Sequence, residues 1–141
     1  MVPNPVKNWR FTITASLTMS NYSYYNRNPA NVDISDCVYR AISTATGLDY
    51  DATARLLNYV AKERNCDKLC VCCYNQVLKS MFGYKRYTCK NEETVNDVAR
   101  RHSDKKVIIR IHQHLTVSVY GEIKDTWDCG DKYVDCYWIV E

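Results

Sequence analysis

The chain is 141 residues long with a formal net charge of +3 and a pI near 8.4. That length predicts one domain with a real core and is too short for two. Its 19 Lys and Arg are scattered rather than gathered into a stripe, which argues against a nucleic-acid binder, and no stretch reaches the apolar length of a membrane span.

Residues 1–21 read as an N-terminal extension. Pro3 and Pro5 break any early helix, and the hydroxyl-rich run from Thr12 to Thr18 reads as an edge strand or a poorly ordered tail. Phe11 to Met19 is the only candidate apolar core of an export signal, and it is short and rich in hydroxyls. The eight cysteines are Cys37, Cys66, Cys70, Cys72, Cys73, Cys89, Cys129 and Cys136. The chain is long for a disulfide scaffold, so the expectation is a soluble, cytoplasmic and largely reduced protein.

Residues 22–141 form the expected domain. Tyr22 to Val32 reads as a loop or extended approach. Asp33, Ser35 and Asp36 are N-cap candidates for a helix over 36–46, with Val38, Ala41, Ile42 and Ala45 as its apolar stripe and Gly47 as its stop. Asp49-Tyr50-Asp51 opens a second helix to residue 64, with Ala52, Leu56, Leu57, Tyr59 and Val60 inward. A third spans 72–82, carrying Val77, Leu78 and Met81 inward and ending at Gly83, and residues 84–89 read as a strand. Thr94 opens a fourth helix with Val95, Val98 and Ala99 inside. Beyond Asp104 the period turns to alternation, giving strands over 107–111, 114–120, 123–127 and 133–140. Helices followed by an antiparallel β-meander make the α+β class.

Three residue types stand in an order suited to thiol chemistry. Cys37 begins the first long helix, where the positive end of the backbone dipole lowers a thiol pKa. A helical Cys also serves as a small buried apolar residue. His114 begins a strand that alternates Leu115, Val117 and Val119 with His114, Thr116 and Ser118, which puts the imidazole on the polar face. After a Gly121 turn, Asp125 and Asp128 both come within reach of His114, with Trp127 between them. Register counting favours Asp128 as the direct neighbour. Nucleophile, base and orienter is the reading of such a set.

Metal readings compete with this one. His112 and His114 would share a face if the strand ran unbroken, with His102 or a cysteine approaching in space. Cys66 and Cys70 supply half of a zinc-type spacing, which Cys89, His102 or His112 would have to complete. The irregular spacing of Cys66, Cys70, Cys72 and Cys73 favours separate thiols over a metal site.

From Tyr24 onward the chain resembles a family of small proteins encoded by phages and prophages of Gram-positive bacteria. The matching pieces are Tyr24-Tyr25-Asn26-Arg27-Asn28-Pro29, Asp36-Cys37-Val38-Tyr39-Arg40-Ala41-Ile42-Ser43, Gly83-Tyr84-Lys85-Arg86-Tyr87 and Thr94-Val95-Asn96-Asp97-Val98. They continue with the run from His114 to Gly121, then Asp125-Thr126-Trp127-Asp128-Cys129-Gly130-Asp131, then Tyr137-Trp138. More remotely, this family is similar to papain-like cysteine peptidases, including the bacteriocin-processing branch with Asp-Cys at its helix start.

The resemblance implies a papain-like fold and a thiol hydrolase cleaving a peptide, amide or isopeptide bond. Cys37 would be the nucleophile, His114 the base and Asp125 the orienter, with Asp128 in reserve. Asp125-Thr126-Trp127 stands where papain-like enzymes carry Asn-Ser-Trp, so Trp127 would shield the His–carboxylate bond. The Cys37 amide would form part of the oxyanion hole. Asn31 stands six residues before Cys37, where papain-like enzymes carry the Gln of that hole. The resemblance implies no cofactor, a protein or peptide substrate of the bacterial host, and no nucleic-acid or membrane partner. A non-catalytic binding protein on the same scaffold, used in host takeover or against host defences, is the alternative.

Overall fold

Capping chemistry and glycine set the helix boundaries. The computed structural model describes residues 21–141 apart from Asp33 and Lys90, so the edge strand expected over residues 12–18 and the N-cap candidate Asp33 lie outside the described residues. Helix α1, Cys37–Thr46, stops at Gly47, whose φ of 79° is a left-handed conformation that glycine adopts without a Cβ clash. Helix α2, Tyr50–Arg64, begins at Asp49, whose carboxylate accepts from the N–H groups of Asp51 and Ala52. Helix α3 spans Val71–Ser80. Helix α4, Val95–Arg101, opens with a reciprocal capping box between Thr94 and Asp97.

Two side chains expected inside are exposed. Tyr59 is 61% and Met81 55% exposed. The buried stripe of α2 runs through Thr53, Leu57, Val60 and Ala61, and Tyr59 lies about 200° round the helix from Leu57. Met81 is the C-cap of α3, its N–H still bonded to Val77 O, and its side chain lies at the exposed end of the helix.

The strands are β1 Tyr22–Tyr24, β2 Arg86–Thr88, β3 Lys106–Ile111, β4 His114–Val119, β5 Glu122–Asp125 and β6 Cys136–Val140. They form one sheet in the order β1-β5-β4-β3-β6-β2, which makes the described chain a mixed α+β structure. β3, β4 and β5 follow one another as antiparallel hairpins. Tyr120 and Gly121, at φ 50° and 87°, make the turn between β4 and β5; two positive φ values in a two-residue loop match the strands' right-handed twist.

The expected meander is broken at both ends. Tyr22–Tyr24, expected as a loop or extended approach, is a strand lying parallel to β5 and occupying its outer edge. β6 therefore pairs with β3 instead of β5, and β2 adds to the far edge of β6. The return path is held by α4: Val95 N–H donates to Lys132 O, Asn96 N–H to Gly130 O and Val134 N–H to Glu93 O. A Cβ at Gly130 would sit 2.5 Å from Asn96 Oδ1, so any larger residue there displaces the Asn96 side chain.

Both faces of the sheet are covered. On one, α1, α2 and α3 bury Val38, Ile42, Leu57 and Leu78 against Ile108, Leu115, Val117 and Trp138. On the other, Val95, Val98, Cys129 and Val134 pack on Val107, Ile109 and Ile123. The polar face expected for β4 is thus a buried one, with Thr116 and Ser118 almost wholly shielded. No helix among the described residues is long and apolar enough to cross a membrane.

Candidate active site

Cys37 is the first residue of α1, and the N-cap residue Asp36 makes no side-chain capping bond to that helix. Asp36 stands at the N-cap position with its carboxylate turned elsewhere. Its Oδ1 accepts from Arg40 Nε at 2.7 Å, and its Oδ2 accepts from Tyr50 OH at 2.7 Å and Asn28 Nδ2 at 3.1 Å. The first amides of α1 are left to whatever lies at its N-terminus, beside the thiol.

His114 reaches Cys37 from the end of a tight turn. Ile111 pairs directly with His114, so His112 and Gln113 form a two-residue loop with Gln113 at φ 54°. The strand does not run unbroken through His112, and the shared face expected of His112 and His114 is lost in the turn. His112 is exposed there.

Asp125, at the end of β5, is 2% exposed and fully engaged. Its Oδ2 lies 2.6 Å from His114 Nε2. Its Oδ1 accepts from Arg40 Nη1 at 3.0 Å and from the Thr126 N–H at 2.7 Å. β4 and β5 pair Ser118 with Ile123 and Val119 with Glu122; continuing that register puts Asp125 opposite Thr116, on the face His114 shares by alternation. Asp128 lies beyond the strand, exposed, its Oδ1 accepting from the Gly130 N–H at 3.0 Å. The register count that favoured Asp128 is corrected by where the turn falls.

These contacts set the ionisation of the group. Burial disfavours a charged imidazole, but hydrogen bonds to Asp125, Cys129 and Cys37 and the Asp125 charge override it and push the His114 pKa up to about 11. Burial likewise raises the Cys37 thiol, but the hydrogen bond with His114, the Leu115 backbone amide and the nearby His114 and Arg40 charges bring it below its ordinary value. Asp125, although buried, is held below the usual carboxylate range by its bond to His114. With Nε2 committed to Asp125, Nδ1 is the nitrogen left for the thiol. A thiolate–imidazolium pair with an ionised orienter follows from these directions.

A cleft of about 510 Å³ opens onto the pair. Cys37, Val38, His114, Gln113, Tyr74 and Arg110 line it, with the exposed apolar side chains of Ile34, Leu69 and Trp127 at its rim. The Trp127 ring centroid lies 5.1 Å from that of His114, covering one side of the imidazole. Asn31 does not line this cleft. It is exposed, at φ 53°, and borders a separate pocket shared with Tyr24, Thr126 and Trp127. Among the side-chain amides of the described residues, Gln113 is the one that reaches the cleft wall.

Sequence reasoning gave no role to Arg40, Asn28, Tyr50 or Cys129. Arg40 is buried and bridges Asp36 to Asp125, joining the nucleophile's helix to the orienter. The Asp36–Arg40 spacing of four was the one local signal available for it. Cys129 is wholly buried, with its Sγ 3.8 Å from Asp125 Oδ2.

The metal set considered from sequence does not assemble. Cys66 packs with the core under α1 to α3, whereas Cys89 packs with the core on the other face. Among the described residues, the one group of three metal-ligating atoms within 4.8 Å of one another is His114, Asp125 and Cys129. Two donors on a tetrahedral zinc are about 3.3 Å apart. The 2.6 Å between His114 and Asp125 is a charge-assisted hydrogen bond instead.

Comparison with protein-family models, with curated proteins and with solved structures finds no match for this chain in any of the three.

Proposed function

We propose that this chain is a papain-like thiol hydrolase of phage or prophage origin, acting on a peptide, amide or isopeptide bond of a bacterial host protein or peptide. The observation that carries the reading is the meeting of Cys37 and His114 at one cleft, with His114 Nε2 held 2.6 Å from the buried Asp125. Cys37 attacks the acyl carbon as thiolate. The tetrahedral oxyanion lies at the start of α1, where the Asp36 side chain makes no capping bond and the Cys37 amide donates. The His114 imidazolium gives its proton to the leaving amine, and as neutral imidazole it then draws a proton from the water that cleaves the thioester. Asp125 holds the ring orientation throughout. The apolar rim of Ile34, Leu69 and Trp127 suits a peptide chain with apolar side chains flanking the scissile bond.

The test is acylation with p-nitrophenyl acetate followed by mass mapping. The reading expects an acetyl thioester on Cys37 that turns over, and that is absent in Cys37→Ala. Its contradiction is a protein that releases nitrophenol no faster than the Cys37→Ala variant.

A second reading draws on the position of Asn31. With Asn31 outside the cleft, the expected side-chain donor of the oxyanion hole is missing, which favours a binding protein on the same scaffold, used in host takeover or anti-defence. Under it, Cys37 reacts with iodoacetamide but forms no thioester that turns over.

A further inference from the structure

Outside the cleft, the densest nucleophilic cluster lies where α2 hands over to α3. Asn65 closes α2 in the left-handed conformation, and Cys66 follows it with its N–H on Ala61 O at 2.9 Å. Cys70 is the N-cap of α3 with extended backbone, and Cys72 and Cys73 lie in its first turn. The Cys70 and Cys72 sulfurs are 3.0 Å apart. Cys73 is wholly buried, its thiol directed at Leu57 O, 3.7 Å away.

We propose that Cys70 and Cys72 are a redox-active dithiol that exchanges with low-molecular-weight disulfides and closes reversibly into a Cys70–Cys72 disulfide. Three features support the assignment. The sulfurs already touch, so bond formation needs about 1 Å of approach. Cys72 is exposed and Cys70 partly so, which lets a small disulfide in. The two thiols are also unequal. Cys70 is held below the ordinary thiol value by the hydrogen bond from Cys72 and by the Cys72 backbone amide at the helix start, against the opposing charge of Asp67. Cys72 is raised, first by that same shared proton and also by its approach to Cys66. An attacking thiolate at a helix N-terminus beside a protonated resolving thiol is the division of labour that exchange requires.

The steps balance. The Cys70 thiolate attacks one sulfur of oxidised glutathione, forming a mixed disulfide and expelling a glutathione thiolate, which takes up a proton. Cys72 then loses its proton to solvent and attacks the Cys70 sulfur, expelling the second glutathione thiolate, which is protonated in turn. Two protein thiols are oxidised and one glutathione disulfide is reduced. Leu69, just before the pair, and Tyr74, just after it, line the cleft, whereas the two thiols themselves lie outside it.

The proposal does not depend on the hydrolase reading. The experiment equilibrates the full chain with mixtures of reduced and oxidised glutathione, blocks residual thiols with iodoacetamide and maps tryptic peptides. Cleavage after Lys68 and Lys79 puts Cys70, Cys72 and Cys73 on one peptide, Cys66 on another and Cys37 on a third. The expected product is the 69–79 peptide short of two hydrogens and alkylated only at Cys73, with Cys66 alkylated on its own peptide. Closure is retained in Cys66→Ser and lost in Cys70→Ser and Cys72→Ser. A glutathione adduct that persists on Cys70, or a cross-link from Cys66 to the 69–79 peptide, overturns it. Loss of closure in Cys66→Ser, with far-UV dichroism unchanged, overturns it as well. Cys37 reports separately on its own peptide, so failure here and failure at the cleft are distinguishable.

Discussion

Arg40 Nη1 lies 3.0 Å from Asp125 Oδ1, tying the first turn of α1 to the last residue of β5. Because Arg40 also holds Asp36 at 2.7 Å, one buried cation bridges two buried carboxylates. Its removal takes the cationic partner from Asp36 and leaves Asp125 with His114 alone. Arg40→Ala is expected to cost about 3–5 kcal/mol, read as a fall in the urea midpoint. Arg100→Ala, which breaks the exposed pair with Asp97, should cost about 0–1 kcal/mol. Equal small effects from both would show that Arg40 does not carry the site.

Asp125→Asn should return His114 toward ordinary behaviour. A raised imidazole pKa favours folding fully below the unperturbed value, roughly 6.5. That contribution is lost as the pH rises through about 11. In the wild type the His114 ring should keep its imidazolium NMR shifts well above roughly pH 6.5. In Asp125→Asn it should titrate much nearer that value. An unchanged titration would mean that Asp125 does not set the charge of His114.

Asn31→Gly removes the side chain and suits the φ of 53° at that position. With Asn31 outside the Cys37 cleft, the acylation rate with p-nitrophenyl acetate should stay within about twofold. Loss of an oxyanion donor costs on the order of 10²–10³ in rate, so a fall of that size would place Asn31 at the reacting carbonyl.

Local chemistry was legible and long-range pairing was not. Gly47, Asp49 and Thr94 announce helix ends because capping depends on residues within one turn. Alternation past residue 104 located the strands, because side chains on a strand change face at every residue. The parallel pairing of Tyr22–Tyr24 with β5 and the return of β6 to β3 had no local signature. They are decided by which edges remain free once the sheet has formed. The order of Cys37, His114 and Asp125 was readable from sequence, whereas Arg40 was not given a role. Its partner Asp125 lies 85 residues away, and a lone cation among apolar neighbours reads as a surface residue until the sheet closes over it.

The choice between Asp125 and Asp128 turned on one residue of register. The Tyr120–Gly121 turn ends β4 at Val119 and starts β5 at Glu122. Counting with Gly121 alone at the centre of the turn sets Asp128 opposite His114, and the two-residue turn shifts that register by one.

The most direct measurement of the central claim is iodoacetamide labelling of Cys37 against pH, read by peptide mass in the wild type and in His114→Ala. A depressed thiol pKa contributes stability above the unfolded value that is lost as the pH falls through the folded one, and its thiolate stays reactive over the same window. Half-labelling is expected below the value of a free thiol, about 8.5, with Cys37 labelled faster than Cys66 and Cys89. In His114→Ala the half-labelling point should climb back toward that value. Labelling of Cys37 no faster than Cys66 or Cys89, and unmoved by His114→Ala, would contradict the ion pair and with it the hydrolase.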